Sequence, residues 1–224
     1  MVDHPSSATS LSPSRRAWRR FARNRLGLWS LVVFCALVLA SLAAEVLSND
    51  KPLVARYQGH WYFPLVQTYP ETVFGGDFDT ETDYLDPFIR QQFAKPGNWA
   101  VYPPNPYGAG TINYFAKAPN PSGPSRDNWL GTDDRGRDLL AQLIYGFRVS
   151  VLFGLALTAV GTLLGVAAGA LQGYFGGKVD LTLQRFIEIW SAMPELYLLI
   201  IFSAILSPSL GLLLVLLSLF GWMG

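Results

Sequence analysis

The sequence predicts an all-α, polytopic helical membrane protein with a large, mostly irregular insert outside the membrane. Two long apolar runs and the polar stretch between them lead to this reading. Residues 26 to 44 form one uncharged run, and residues 149 to 172 form another with no ionisable side chain. At 1.5 Å rise per residue, about 24 residues give roughly 36 Å of helix, enough to cross a hydrocarbon core of about 30 Å. Between the runs lie roughly 100 residues, far more than packed helices need for a connection, so this insert is expected to have a fold or a partner of its own.

Composition narrows the class further. Half of the 224 residues are hydrophobic, 15% are charged and the net charge is +1, which argues against a disordered chain or a nucleic-acid-binding domain. Cys35 is the single cysteine, so no intramolecular disulfide can form. The two histidines, His4 and His60, lie in different parts of the chain, and neither an HExxH nor a GxSxG string occurs. The usual hydrolytic pairings are therefore not expected, and neither is a metal site.

Taken in order, residues 1 to 13 are rich in Ser and Pro and read as a loose tail. Arg15, Arg16, Arg19, Arg20, Arg23 and Arg25 then crowd against the first apolar run, a bias that keeps an N-terminus in the cytoplasm. We assign residues 1–25 to this basic segment and 26–46 to a first transmembrane helix. A cleavable or twin-arginine signal is the alternative, but the apolar run of about 19 residues exceeds the usual signal core of 7 to 15. The same arginines suit anionic lipid equally well.

With the N-terminus inside, residues 47–147 lie outside. Prolines at 103, 104, 106, 119, 121 and 124 leave little room for long helix, while VARYQGHWYF suggests a short hairpin about Gln58-Gly59. Asp77, Asp79, Glu81 and Asp83 alternate as in a calcium loop. The match then fails, because the sixth position is Thr82 rather than Gly and the twelfth is Phe88 rather than Glu. A solvated acidic face is the expected reading, and the alternative is a face that recognises a soluble partner or cationic substrate groups.

The insert ends in LGTDDRGRDLLAQLIYGF. Leu139, Leu140, Leu143, Ile144 and Phe147 share a face while Asp138 and Gln142 point away, a pattern for an interfacial amphipathic helix started by Thr132 and Asp133. The alternative is that this segment simply extends the next span. In that span Gly161, Gly165 and Gly169 recur every fourth residue and suggest close helix packing.

The string LGTDDRGRDLLAQLIYGFRVSV, the turn GYFGGKVD and LQRFIEIWSAMPELYLL together resemble the permease subunit of dipeptide/oligopeptide-type ABC importers. The insert FPLVQTYPETVFGGDFDTETDYLDPF is closer still to the Yej-type permease of oligopeptides and microcin C. The residues that carry the family motif are Gly131, Thr132, Asp133, Gly136, Arg137 and Asp138. The resemblance implies a multi-pass protein of the bacterial inner membrane with a periplasmic insert. Its implied partners are a homologous permease subunit, two ATP-binding subunits, a periplasmic substrate-binding protein and the peptide itself, with no nucleic acid.

Residues 148–224 are then the permease core. GYFGGKVD lacks the spacing of a phosphate loop, since Gln172 stands where Gly belongs and Val179 where Ser or Thr must hold magnesium. No cofactor is expected in this chain, and ATP with magnesium belongs to the partner ATPases. Glu188 and Glu195, seven residues apart on the next span, share a face and are the candidates for the translocation path, since an acid within a membrane helix normally faces water or a partner. Residues 210 to 223 begin a fourth span too short to cross alone. The resemblance implies more helix, a coupling loop with a Glu-Ala-Ala element and two further helices, so a truncated chain is expected. The rival functional class is a membrane-anchored extracellular interaction module; an intramembrane hydrolase built on Glu188 or Glu195 lacks a recognisable nucleophile or metal set.

Overall fold

A computed structural model describes residues 12–112, 114 and 119–223. The loose tail expected over residues 1 to 13 lies outside the described residues except for its last two. The chain is mostly helical and divides into two units, residues 1–147 and 148–224.

In the first unit, α1 (Pro13–Arg23) carries the arginine cluster and opens with Pro at its first position, where the missing N–H costs nothing. Asn24 separates it from α2 (Arg25–Leu42), and its side chain accepts a hydrogen bond from the Gly27 N–H at 3.2 Å. The uncharged run of α2 has the length and composition of a membrane span. Within it the Ser30 hydroxyl donates to the Leu26 carbonyl and Ser41 to Val38, so both hydroxyls are satisfied inside the helix, as lipid requires. A short turn of helix, α3 (Ala44–Leu47), ends this span.

The insert is mostly irregular, but it also holds a small β-sheet, which corrects the expectation of an all-α protein. Strands β1 (Val54–Tyr57) and β2 (His60–Tyr62) form the hairpin about Gln58-Gly59, and both turn residues have positive φ, 47° and 85°. After a 3₁₀ turn (Glu71–Phe74) and α4 (Pro87–Phe93), strand β3 (Trp99–Val101) pairs antiparallel with β1, giving the order β2-β1-β3.

The reason is aromatic content. Phe74, fully buried, has Tyr57, Tyr62, Tyr69, Tyr84 and Phe93 around it at ring separations of 5.1 to 6.1 Å. Five such neighbours give enough apolar burial to order a segment with little regular structure. Glu81 pairs with Lys51 at 2.5 Å, and Asp83 accepts from the Leu85 N–H, so half of the acidic alternation is engaged by the chain itself.

Helix α5 runs unbroken from Leu139 to Phe175. Residues 139 to 147 are therefore its first turns and not a separate interfacial helix, because nothing between Gly146 and Val149 breaks the hydrogen-bond ladder. In the second unit, α5 meets α6 (Gly177–Ser191) across Gly176 and Gly177, at φ 55° and 52°. The segment expected as one span over residues 183 to 206 is bent by 70° between α6 and α7 (Glu195–Ile205), since Pro194 cannot continue a helix. Ser209 then caps α8 (Leu210–Gly221) by accepting from the Leu212 N–H.

Candidate functional site

The GTDxxGRD motif forms a polar knot at the entry to α5. Thr132 Oγ1 accepts from the Ser122 N–H at 3.0 Å and donates to Asn120 Oδ1 at 2.9 Å. Gly131 and Gly136 sit at φ 84° and 79°, and each is approached so closely that a Cβ would overlap a neighbour, the Ser122 carbonyl oxygen and the Asn120 amide respectively.

Asp133 does not start the helix, contrary to the expectation. It closes the turn, its Oδ1 accepting from the N–H groups of Arg135 and Arg137 and its Oδ2 from Arg137 Nε and Gln142 Nε2. The Arg137 guanidinium also pairs with it at 2.6 Å. Burial alone would push this carboxyl up. The bonds from Arg137, Gln142 and Arg135 outweigh that and hold it well below the usual carboxylate range.

Asp138 departs most from expectation. It points inward and is 1% exposed. Its Oδ1 accepts from the Ala141 N–H at 2.8 Å, so Asp138 is the true cap of α5, and also from Asn105 Nδ2 at 2.8 Å. Its Oδ2 accepts from Asn128 Nδ2 at 2.9 Å. Asn105 also donates to Ser48 Oγ at 2.9 Å, Ser48 donates to the Tyr107 carbonyl at 2.7 Å, and the Tyr145 hydroxyl donates to the Ser48 carbonyl at 2.9 Å.

One carboxylate thus ties together the end of the first span, the proline-rich loop and the first turns of α5. Sequence reasoning missed Ser48, Asn105 and Asn128. The only signal was an asparagine held between two prolines in PPNP, where the backbone is already fixed.

In the second unit Glu188 and Glu195 do not share a face. Pro194 and the bend separate them onto α6 and α7. Glu188 is exposed and pairs with Arg185 at 2.5 Å. Glu195 occupies the first turn of α7, half-buried, where a negative charge is favoured by the helix dipole.

Of the three aligned glycines, Gly161 and Gly165 face the end of α8. A Cβ on Gly165 would come within 3.0 Å of the Trp222 carbonyl oxygen, whereas Gly169 has no neighbour within 4 Å. Thr158, Gly161, Gly165, Ser218 and Trp222 line a cleft of about 500 Å³ there. Among the described residues no three His, Cys, Asp or Glu side chains converge on a metal-sized site.

Residues 12–66, covering α1, α2 and the hairpin, match the family described as the N-terminal TM domain of oligopeptide transport permease C. The chain is 52% identical over 214 residues to the inner membrane ABC transporter permease protein YejE of Escherichia coli K12, an alignment covering 95% of this chain and 62% of that protein. Over nearly its whole length the chain is similar to permease subunits of peptide ABC transporters.

Two further permeases show lower identity. The peptidoglycan transport system permease protein YejE of Agrobacterium fabrum is 44% identical over 235 residues, covering 94% of this chain and 61% of that protein. The dipeptide transport system permease protein DppC of Lactococcus lactis is 28% identical over 217 residues, covering 96% of this chain and 56% of that protein. The chain spans about three fifths of the length of the two YejE permeases.

Proposed function

We propose that this chain forms part of the translocation path of an ATP-driven peptide importer, as one permease subunit paired with a homologous second. The observation that carries this reading is the 52% identity to an ABC transporter permease across 95% of the chain. The arginines of α1 and Arg25 favour a cytoplasmic N-terminus, which puts the insert in the periplasm, where a soluble substrate-binding protein would deliver the peptide. ATP and magnesium act on two separate ATP-binding subunits, in keeping with the absence of a phosphate loop in this sequence. Nucleotide-driven change would shift the helices between outward-open and inward-open populations, which requires different contacts in the two states.

Oligopeptides are the cargo we favour. A relative named for peptidoglycan transport supports a second reading, peptides that carry cell-wall components. Glu195, at the bend between α6 and α7, is the first candidate for lining the path and Glu188 the second.

Uptake of a labelled oligopeptide by the complete transporter in proteoliposomes tests the reading. Glu195→Gln is expected to lower the uptake rate at least fivefold while leaving assembly intact, and unchanged uptake would remove that role. Orientation is tested in a Cys35→Ser background with single cysteines at Ser14 and Asp79. A membrane-impermeant maleimide on intact spheroplasts should label Asp79→Cys and spare Ser14→Cys.

A further inference from the structure

Helix α1 buries none of its side chains, and its two sides differ in kind. At 3.6 residues per turn, Arg15, Arg16, Arg19, Arg20 and Arg23 fall within about 140° of its circumference, and Pro13, Ala17, Trp18, Phe21 and Ala22 lie on the opposite side. Trp18 is 58% exposed and Phe21 36%, with their rings 5.7 Å apart. No acidic residue lies between Asp3 and Glu45. The five arginines are exposed, and among the described residues no ion pair engages any of them.

Topology does not explain this sorting. Keeping the N-terminus on one side of a span depends on how many basic residues flank it, not on which face of a helix they take. A basic face opposed by exposed aromatics is the pattern of a helix lying along a bilayer surface. Continuity of the chain supplies that surface. Asn24, at φ −82° and ψ 94°, ends α1, and the next residue starts α2, which has the length and composition of a membrane span.

One border between the two sides of α1 is hollow. Pro13, Arg16, Ala17, Arg20, Phe21 and Asn24 line a cleft of about 710 Å³ there. Arg16 and Arg20 are one turn apart, which sets their Cβ atoms about 5–6 Å from each other, so both guanidiniums can reach a single phosphate. Asn24 Oδ1 accepts from the Gly27 N–H at 3.2 Å, which leaves its Nδ2 group to donate. A lipid phosphodiester offers negative charge and acceptor oxygens to these donors, and the glycerol and acyl chains beneath it need apolar neighbours such as Ala17 and Phe21.

We propose that the Arg16–Arg20–Asn24 cleft of α1 binds the phosphate headgroup of an anionic phospholipid, with the acyl chains running along Ala17 and Phe21. The site is separate from any path for cargo, and its test does not depend on transport.

The complete transporter in detergent is titrated with phosphatidylglycerol or with phosphatidylcholine of the same chains, and bound lipid is counted by native mass spectrometry. Wild type is expected to hold phosphatidylglycerol at least fivefold more tightly. Arg16→Gln/Arg20→Gln should weaken phosphatidylglycerol at least fivefold and leave phosphatidylcholine within twofold. Arg15→Gln/Arg19→Gln removes the same charge from outside the cleft and should cost less than twofold. Arg16→Lys/Arg20→Lys keeps the charge without the planar fork and should lose two- to threefold.

All three variants should keep the wild-type unfolding temperature, because α1 contributes no buried side chain. Should Arg16→Gln/Arg20→Gln fail to assemble, the lysine variant decides. Equal losses in the two glutamine variants would reduce the effect to net charge and overturn the site. Equal affinity of wild type for the two lipids overturns it too, as does release of the lipid by inorganic phosphate, which would make the cleft a site for soluble anions.

Discussion

Asn105 gives one side-chain N–H to the Asp138 carboxylate at 2.8 Å and the other to Ser48 at 2.9 Å, across 33 and 57 residues of chain. Both carboxylate oxygens of Asp138 are acceptors for N–H donors from three different places. Asp138→Asn keeps shape but turns one oxygen into a donor that must face Asn128 or the Asn105 and Ala141 pair. Leaving a buried donor without an acceptor costs about 1–3 kcal/mol. The expected outcome is a loss of about 2–3 kcal/mol, read by thermal unfolding in detergent; an unchanged midpoint would show that the knot does not hold the fold.

Gly131 and Gly136 should respond unequally to alanine. A Cβ on Gly131 would meet the Ser122 backbone oxygen at 2.3 Å, whereas one on Gly136 would meet the end of the Asn120 side chain at 2.4 Å. Positive φ costs both residues about 1–2 kcal/mol, but only the side chain can rotate aside. Gly131→Ala is expected to lose about 3 kcal/mol or more and Gly136→Ala nearer 2 kcal/mol. Equal losses in the same unfolding assay would contradict the comparison.

Acid should loosen the motif before it affects the aromatic core. The Asp133 carboxyl is held below its unfolded value near 3.9, so its stabilising contribution is complete above about pH 4 and is lost as pH falls toward its folded value. Unfolding midpoints of wild type are expected to fall between about pH 4 and pH 2, and Asp133→Asn to flatten that slope. A parallel slope in the variant would assign the acid sensitivity to other groups.

Tyr84 is 3% exposed and its hydroxyl finds no hydrogen-bond partner among the described residues. Tyr84→Phe keeps the ring contacts with Phe74 and Phe93 and removes an orphaned donor. It is expected to leave stability unchanged or raise it by about 1 kcal/mol. Phe74→Ala, at the centre of the same cluster, is expected to cost about 3–5 kcal/mol.

The membrane segments were legible because hydrophobicity over 18 or more residues has one explanation, and α2 and α5 fall where the uncharged runs are. The hairpin was legible for the local reason that Gln58-Gly59 sits between Tyr57 and the aromatic run Trp61 to Phe63. The hub around Asp138 was not. Read as a helix face, residues 138 to 147 put Asp138 on the polar side, and nothing local shows that Asn105 and Asn128 arrive from afar to bury it. Likewise Glu188 and Glu195 share a face only if the helix is straight, and a proline between them offers a bend without stating its angle.

The break between α6 and α7 leaves peptide groups that oil cannot serve. No side chain caps the first N–H groups of α7, and a helix end left dry costs several kcal/mol per orphaned group. Wherever this elbow meets a bilayer, water or another protein surface has to reach the first N–H groups of α7, because lipid tails offer them no acceptor.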